Sequence, residues 1–229
     1  MARTIKEQEY AVKRNEILDV AERLMVTKGY QQMTIQDILD NLKISKGAFY
    51  HYFDSKSALL EALINRILDR GIEALTPIAQ DTRTPALERI QRYFETAARW
   101  KAAQMDLMLA LLRIWYTDDN AIVRQKMLTN GLKRIAPILT DMILQGVKEG
   151  VLNPAYPERA AEVVMVLMEG FGDSLAQQIL SPDPASNDPQ RMETTTAVFT
   201  DALERILGAP KNSLHIVELE TLKAWMVNP

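Results

Sequence analysis

Residues 34–52, TIQDILDNLKISKGAFYHY, decide how this chain is read. Ile35, Ile38, Leu39 and Leu42 recur at i, i+3, i+4 and i+7, which is one face of a short helix. Thr34 stands at its start with Asp37 three residues on, the spacing at which hydroxyl and carboxylate each satisfy a backbone N–H of the first turn. Ser45 is placed to cap a second short helix, in which Phe49 and Phe53, four apart, supply the buried side. Two short amphipathic helices joined by three or four residues predict a helix-turn-helix, whose second helix can enter the major groove of DNA. That helix would present Lys46, Gly47, Ala48, Tyr50 and His51 outward. Gly47 lets the helix start approach a nucleic-acid backbone closely, with N–H groups able to meet a phosphate. Tyr50 adds a hydroxyl, and Lys56 a cation at the start of the next helix. On spacing alone, a plain three-helix packing unit is an equal account.

Outward from this stretch the helical period continues. Ile17, Leu18, Ala21, Leu24 and Met25 form one face of a preceding helix, closed by Lys28-Gly29. Asp54 or Ser55 caps a longer helix carrying Leu59, Leu60, Leu63, Ile64, Ile67 and Leu68. Beyond Pro77 the pattern predicts helices over 85–103, 105–116, 121–150, 157–180 and 189–207, with a tail helix over 213–226. Pro137 is expected to kink or break the third of these near Ala136. Residues 181–188, SPDPASND, read as a loop. The chain is predicted to be all-α, with a helix-turn-helix domain over 1–56, a helical body over 57–208 and a tail helix over 209–229.

Composition narrows the function classes. With 229 residues and 47% hydrophobic content there is ample apolar mass for a core. The absence of cysteine removes disulfides, thiolate nucleophiles and zinc–cysteine sites, and two histidines leave almost nothing for a metal. No apolar run approaches the roughly 20 residues of a membrane span. The charged stretch 1–14 lacks a signal peptide's apolar core, so a soluble, cytoplasmic protein is expected. Up to Lys56 nine Lys/Arg face eight Asp/Glu, a balance of +1, and the remainder carries 18 against 22, or −4. That permits a basic patch at the N-terminal end without establishing one. There is no P-loop, no GxSxG and no HExxH, and Asp118-Asp119 has no companion base, so neither catalytic residues nor a cofactor are assigned. Gly170-Phe171-Gly172 follows no strand and is not a dinucleotide fingerprint.

The run from Arg14 to Leu60 resembles the DNA-binding domain of the tetracycline-repressor (TetR) family of bacterial transcriptional regulators. The matching features are Ile17-Leu18-Asp19-Val20-Ala21, Lys28-Gly29-Tyr30, Thr34, Asp37-Ile38, Ile44-Ser45-Lys46-Gly47, Phe49-Tyr50, Phe53, Ser55-Lys56 and Leu59-Leu60. Several are individually common; in order and in register over about 47 residues they are together specific. The resemblance implies three N-terminal helices that bind operator DNA and a helical body that binds a ligand and dimerises. It makes Thr34, Ser45, Lys46, Gly47, Ala48, Tyr50, His51 and Lys56 the DNA-facing set. Ala48 departs from the family's usual Thr or Ser, Tyr52 stands where His is frequent, and Lys43 replaces the usual turn Gly. A left-handed conformation would cost Lys43 roughly 1–2 kcal/mol, unless Asn41 alters the turn.

In the body, residues 105–116 (MDLMLALLRIWY) are apolar nearly all round, as in a helix buried on every side. Such a helix fills a core, and by the resemblance it also lines a ligand cavity. The candidate ligand-binding side chains are Trp100, Met105, Met108, Leu112, Trp115, Met165, Met168, Glu169 and Phe171, suited to a largely apolar, neutral or cationic molecule. The same side chains could simply fill the core. Glu169 could meet a cationic group, face solvent or pair with Arg113. Helices 157–180 and 189–207 resemble the family's dimerising pair, with Ala160, Ala161, Gly170, Gly172 and Ala176 permitting close approach and Val164, Leu167, Leu175 and Val198 adding apolar area. Two function readings lead: a ligand-responsive homodimeric regulator, and a DNA-binding regulator without a small-molecule ligand, controlled by a protein partner or by abundance. A third, an enzyme or carrier that keeps the helical body, would lack selective duplex binding.

Overall fold

In a computed structural model, which describes residues 2–181, 183 and 188–227, the chain is helical, and no strand occurs among the described residues. In chain order the helices are α1 (Ala2–Lys28), α2 (Ile35–Leu42), α3 (Lys46–Tyr52), α4 (Lys56–Gln80), α5 (Ala86–Ala102), α6 (Met105–Trp115), α7 (Ala121–Lys148), α8 (Pro157–Ile179), α9 (Pro189–Leu207) and α10 (Leu219–Val227). A 3-10 turn, Asp118–Asn120, precedes α7. Two compact units result, one from residues 1–69 with 106–127 and one from 70–105 with 128–229, so α4 and α7 each contribute to both. None of the described helices is long and apolar enough to cross a membrane. Most of the 181–188 loop lies outside the described residues.

The first unit is built on Ile17, Leu18, Ala21 and Met25 of α1, Ile38 and Leu39 of α2, Phe49 of α3, and Leu59, Leu60 and Leu63 of α4, all buried. α1 ends at Gly29, whose φ of 82° places it in the left-handed region that ends helices at little cost to glycine. Arg66 of α4 forks onto α1, donating to Asp19 and Glu22 at 2.6 Å each. Of the two candidate caps for α4, Ser55 fills the role: its Oγ accepts the Ala58 N–H at 3.0 Å. Buried Asn120 closes α6 by donating to the Ile114 carbonyl at 3.2 Å.

The second unit gathers Leu75, Ile90, Tyr93, Phe94, Leu139, Met142, Ile143, Val164, Leu203 and Leu207 into one core. Pro137 neither breaks α7 nor ends it. Proline in a helix interior costs about 3 kcal/mol, but Ala136 before it and Leu139, Met142 and Ile143 after it are all buried in the same core, which offsets that cost. α5 starts at Pro85 without a local side-chain cap; Glu149, 63 residues away, accepts the Ala86 N–H at 2.8 Å instead.

The tail departs from expectation: helix begins at Leu219 rather than near residue 213. The buried Glu204 carboxylate accepts the N–H groups of Asn212, Ser213 and Leu214 at 3.0, 2.7 and 3.0 Å. The Gln91 side chain then accepts from the His215 N–H at 2.7 Å and donates to its carbonyl at 3.3 Å. These bonds tie residues 212–215, which lie outside any helix, to α9 and α5. Leu214, Ile216 and Leu222 are buried where the tail lies on α5 and α9. Gly208 makes the path possible, with a φ of 59° and no room for a Cβ against the Asn153 backbone.

Candidate nucleic-acid interface

The helix-turn-helix forms as its sequence dictates. The Thr34 hydroxyl accepts the Asp37 N–H at 3.1 Å while the Asp37 carboxylate accepts the Thr34 N–H at 2.7 Å, completing the capping box. Lys28 closes on both Asp37 oxygens at 2.8 Å, and these bonds, its ammonium first, hold the carboxyl down at about 2. The contribution of this cap to stability is present above the ordinary carboxylate range near pH 4 and is lost as pH falls from there to about 2. Urea unfolding of wild type and Asp37→Asn should therefore differ at pH 6 and converge near pH 2; a gap that stays constant across that range would contradict the linkage.

Between the helices, Lys43 adopts φ 52° and ψ 42°, the left-handed conformation that the missing glycine implied, and its N–H reaches the Leu39 carbonyl. Asn41 leaves the turn unaltered; it stays in α2, donating to the Asp37 carbonyl and accepting from Arg23. Lys43→Gly should remove the strain and stabilise the protein by about 0.5–1 kcal/mol after glycine's greater unfolded-state freedom is subtracted. An unchanged or lower urea midpoint would show that the strain is absent.

The Ser45 hydroxyl accepts the Ala48 N–H at 3.1 Å and starts α3. Phe49 and Phe53 are buried, while Lys46, Gly47, Tyr50 and His51 are exposed and Ala48 is half-buried. A Cβ on Gly47 would meet only the Ser45 hydroxyl at 3.9 Å, so nothing inside the chain requires glycine there. Its bareness faces outward. Lys46 Nζ lies 6.0 Å from the Tyr50 ring centroid. Lys56, the first residue of α4, is half-buried with its Nζ 4.3 Å from the Tyr30 ring centroid and 3.4 Å from the Gln31 carbonyl. Burial pushes its ammonium below the usual lysine range, against a smaller upward pull from Asp37.

Two residues of α1 that sequence reasoning left out join this surface. Tyr10 lies 5.6 Å from the His51 ring and 4.7 Å from Tyr52, and the Arg14 guanidinium lies 5.0 Å from the Phe53 ring. The signal was present: residues 10, 14, 17, 21 and 25 extend the core stripe of α1 by two turns.

The candidate ligand-binding residues are more scattered. In the second unit Met165 and Met168 are half-buried and Phe171 is buried, all belonging to the core, with Phe171 5.5 Å from Phe199. Trp100 is half-buried against Gly71, and Met105 is half-buried at the start of α6. In the first unit Met108, Leu112 and Trp115 are half-buried. Glu169 is exposed on α8. Two open clefts occur in the second unit. One, about 740 Å³, lies among α5, α9 and the tail, and the other, about 730 Å³, between α8 and α9. Phe199 lines the second, but none of the nine candidates lines either.

Residues 17–63 match the family model described as bacterial regulatory proteins of the tetR family, and residues 113–177 match a tetracyclin repressor-like C-terminal domain. Among curated relatives, the uncharacterized HTH-type regulator YuxN of Bacillus subtilis is 45% identical over 69 residues, 30% of this chain and 24% of that protein. The chain thus spans about a quarter of that relative's length. The repressor KstR2 of Mycobacterium tuberculosis is 27% identical over 152 residues, 62% of this chain and 70% of that protein. A TetR transcription regulator from Haloarcula marismortui superposes with a TM-score of 0.64 at 20% identity, over 86% of this chain and 97% of that one, a likeness of fold.

Proposed function

The chain belongs to the TetR family of DNA-binding transcriptional regulators, and on that premise we propose that it is a homodimeric cytoplasmic repressor released from operator DNA by a small, largely apolar ligand. The observation that carries the DNA half is the exposed face of α3, where Lys46, Gly47, Tyr50 and His51 stand clear on a helix anchored by buried Phe49 and Phe53. Tyr50 and Lys56 act on phosphates, aided by the Thr34 and Ser45 hydroxyls and the bare backbone at Gly47, with Ala48 beside it. Lys46 and His51 reach base edges, where a lysine donates to guanine O6 and N7. Selection of bound fragments from random duplex DNA tests these roles. Lys46→Ala and His51→Ala should change the preferred sequence, costing about 1–3 kcal/mol at the affected base pair. Lys56→Ala should weaken all duplexes alike and reduce the slope of log K against log[salt] by about 0.9 per contact, or about 1.8 in a symmetric dimer. An unchanged selected sequence would remove the base-edge assignment.

Support for dimerisation comes from α8 and α9, which pack on each other and leave Val163, Val166 and Val198 50%, 64% and 61% exposed. The effector half rests on Trp100, Met105, Met165, Met168 and Phe171 of the second unit as wall, with Glu169 as the polar group. A ligand preferring the DNA-incompetent state a hundredfold, about 2.7 kcal/mol, would empty most operators. The second reading is a regulator controlled by a protein partner or by abundance. Thermal-shift and operator-release screening of neutral aromatics and hydrophobic cations separates the two. Equal cation response in wild type and Glu169→Gln would remove the charge role.

A further inference from the structure

The core-facing side of α1 begins at Ile17, whereas residues 6–12 are all exposed, so the early turns of α1 bury almost nothing in the three-helix core. An exposed helix end frays unless a side chain ties it down. Tyr10 supplies such a tie at an unexpected place, the C-terminal end of α3. Its ring meets His51 edge to face, 5.6 Å between centroids at 82°, and Tyr52 at 4.7 Å. Tyr52 in turn meets His51 at 5.0 Å and 77°. The imidazole is exposed to solvent yet touches two phenol rings, one from its own helix and one from a residue 41 positions earlier.

Reading a base edge requires a donor or acceptor at a fixed place, and an exposed side chain free to rotate must be ordered when DNA binds. Rings set edge to face hold one another in a preferred orientation. We propose that Tyr10 is a positioning residue for His51, so that the N-terminal turns of α1 belong to the sequence-reading surface. Arg14, one turn on against Phe53, braces the same face of α1 on α3. The proposal rests on the base-edge role given to His51 above.

Binding to the selected operator and to operators altered at each position should be measured for wild type, Tyr10→Leu, Tyr10→Phe, His51→Ala and the Tyr10→Leu/His51→Ala double variant. At the base pair to which His51→Ala becomes indifferent, Tyr10→Leu is expected to lose discrimination about tenfold, Tyr10→Phe to retain it, and the double variant to lose no more than His51→Ala alone. Loss of the ring-current shift on the His51 ring protons in Tyr10→Leu, read by NMR without DNA, checks the contact itself. Should His51→Ala leave the preference untouched, the base-edge reading fails and this proposal with it. Should His51→Ala relax it while Tyr10→Leu does not, or should the two losses add, only the positioning role falls.

Discussion

Arg89→Ala should lower the unfolding free energy by about 3–5 kcal/mol, a large share of a stability that for most domains is about 5–15 kcal/mol. Arg89 is 1% exposed and its guanidinium serves four acceptors. Two are the carbonyls of Ile78 and Ala79 in the last turn of α4, where a cation also opposes the negative end of the helix dipole. The others are Gln145 Oε1 at 2.6 Å and Asp141 at 3.0 Å, both on α7. Truncation leaves buried acceptors unpaired, at about 1–3 kcal/mol each, and opens a cavity the size of the side chain. Arg89→Lys should recover only part of the loss, because one ammonium cannot replace a planar fork aimed at four oxygens. Asp141→Ala should cost about 0–1 kcal/mol, since that carboxylate is 62% exposed and water takes over its role. Urea unfolding of the three variants checks the ordering. An Arg89→Ala loss below about 1 kcal/mol would mean that water replaces the guanidinium at the end of α4.

That clamp marks the limit of what the sequence made legible. Thr34, Asp37, Ser45 and Ser55 each bond a backbone N–H three residues away, so spacing placed the caps of α2 and α3 and narrowed that of α4 to Asp54 or Ser55. Lys43 was legible through the resemblance, which puts a turn glycine at that position and left Asn41 as the alternative. Arg89 finds its side-chain partners 52 and 56 residues away, and no local pattern distinguishes it from a solvated arginine on an amphipathic helix. Glu204 was equally hidden: its partners are backbone groups, which leave no mark in a sequence, and with them it ties the start of the tail to α9. Periodicity also cannot say which neighbour a helix face meets. Of the residues read as interface, Ala160, Ala161, Val164 and Ala176 are buried within the subunit and Val198 is exposed, while Val163 and Val166 of α8, not read so, are exposed as well.

Those three valines define the other large effect. The Val166→Asp/Val198→Asp double variant should be monomeric at micromolar concentration and should bind its operator at least about a hundredfold more weakly. In an isologous interface each substitution occurs twice around the two-fold axis, so four carboxylates would be brought together where apolar surface is buried in the wild type. The fold of the subunit should survive, because both positions are more than half exposed and lie outside the core. The DNA effect follows from geometry. Two recognition helices about 34 Å apart meet successive major grooves, and joining them makes the second contact intramolecular, which raises affinity by about 10²–10⁴ without any new bond. A monomer forfeits that gain but keeps every contact of a single α3. It should therefore bind an isolated half-site and the full palindrome with nearly equal strength, whereas the wild type prefers the palindrome by two orders of magnitude or more. Light scattering beside titration of both duplexes reads the two consequences separately. A variant that remains dimeric would place the interface elsewhere on the subunit. A monomer that still prefers the palindrome would show that the DNA itself brings the two heads together.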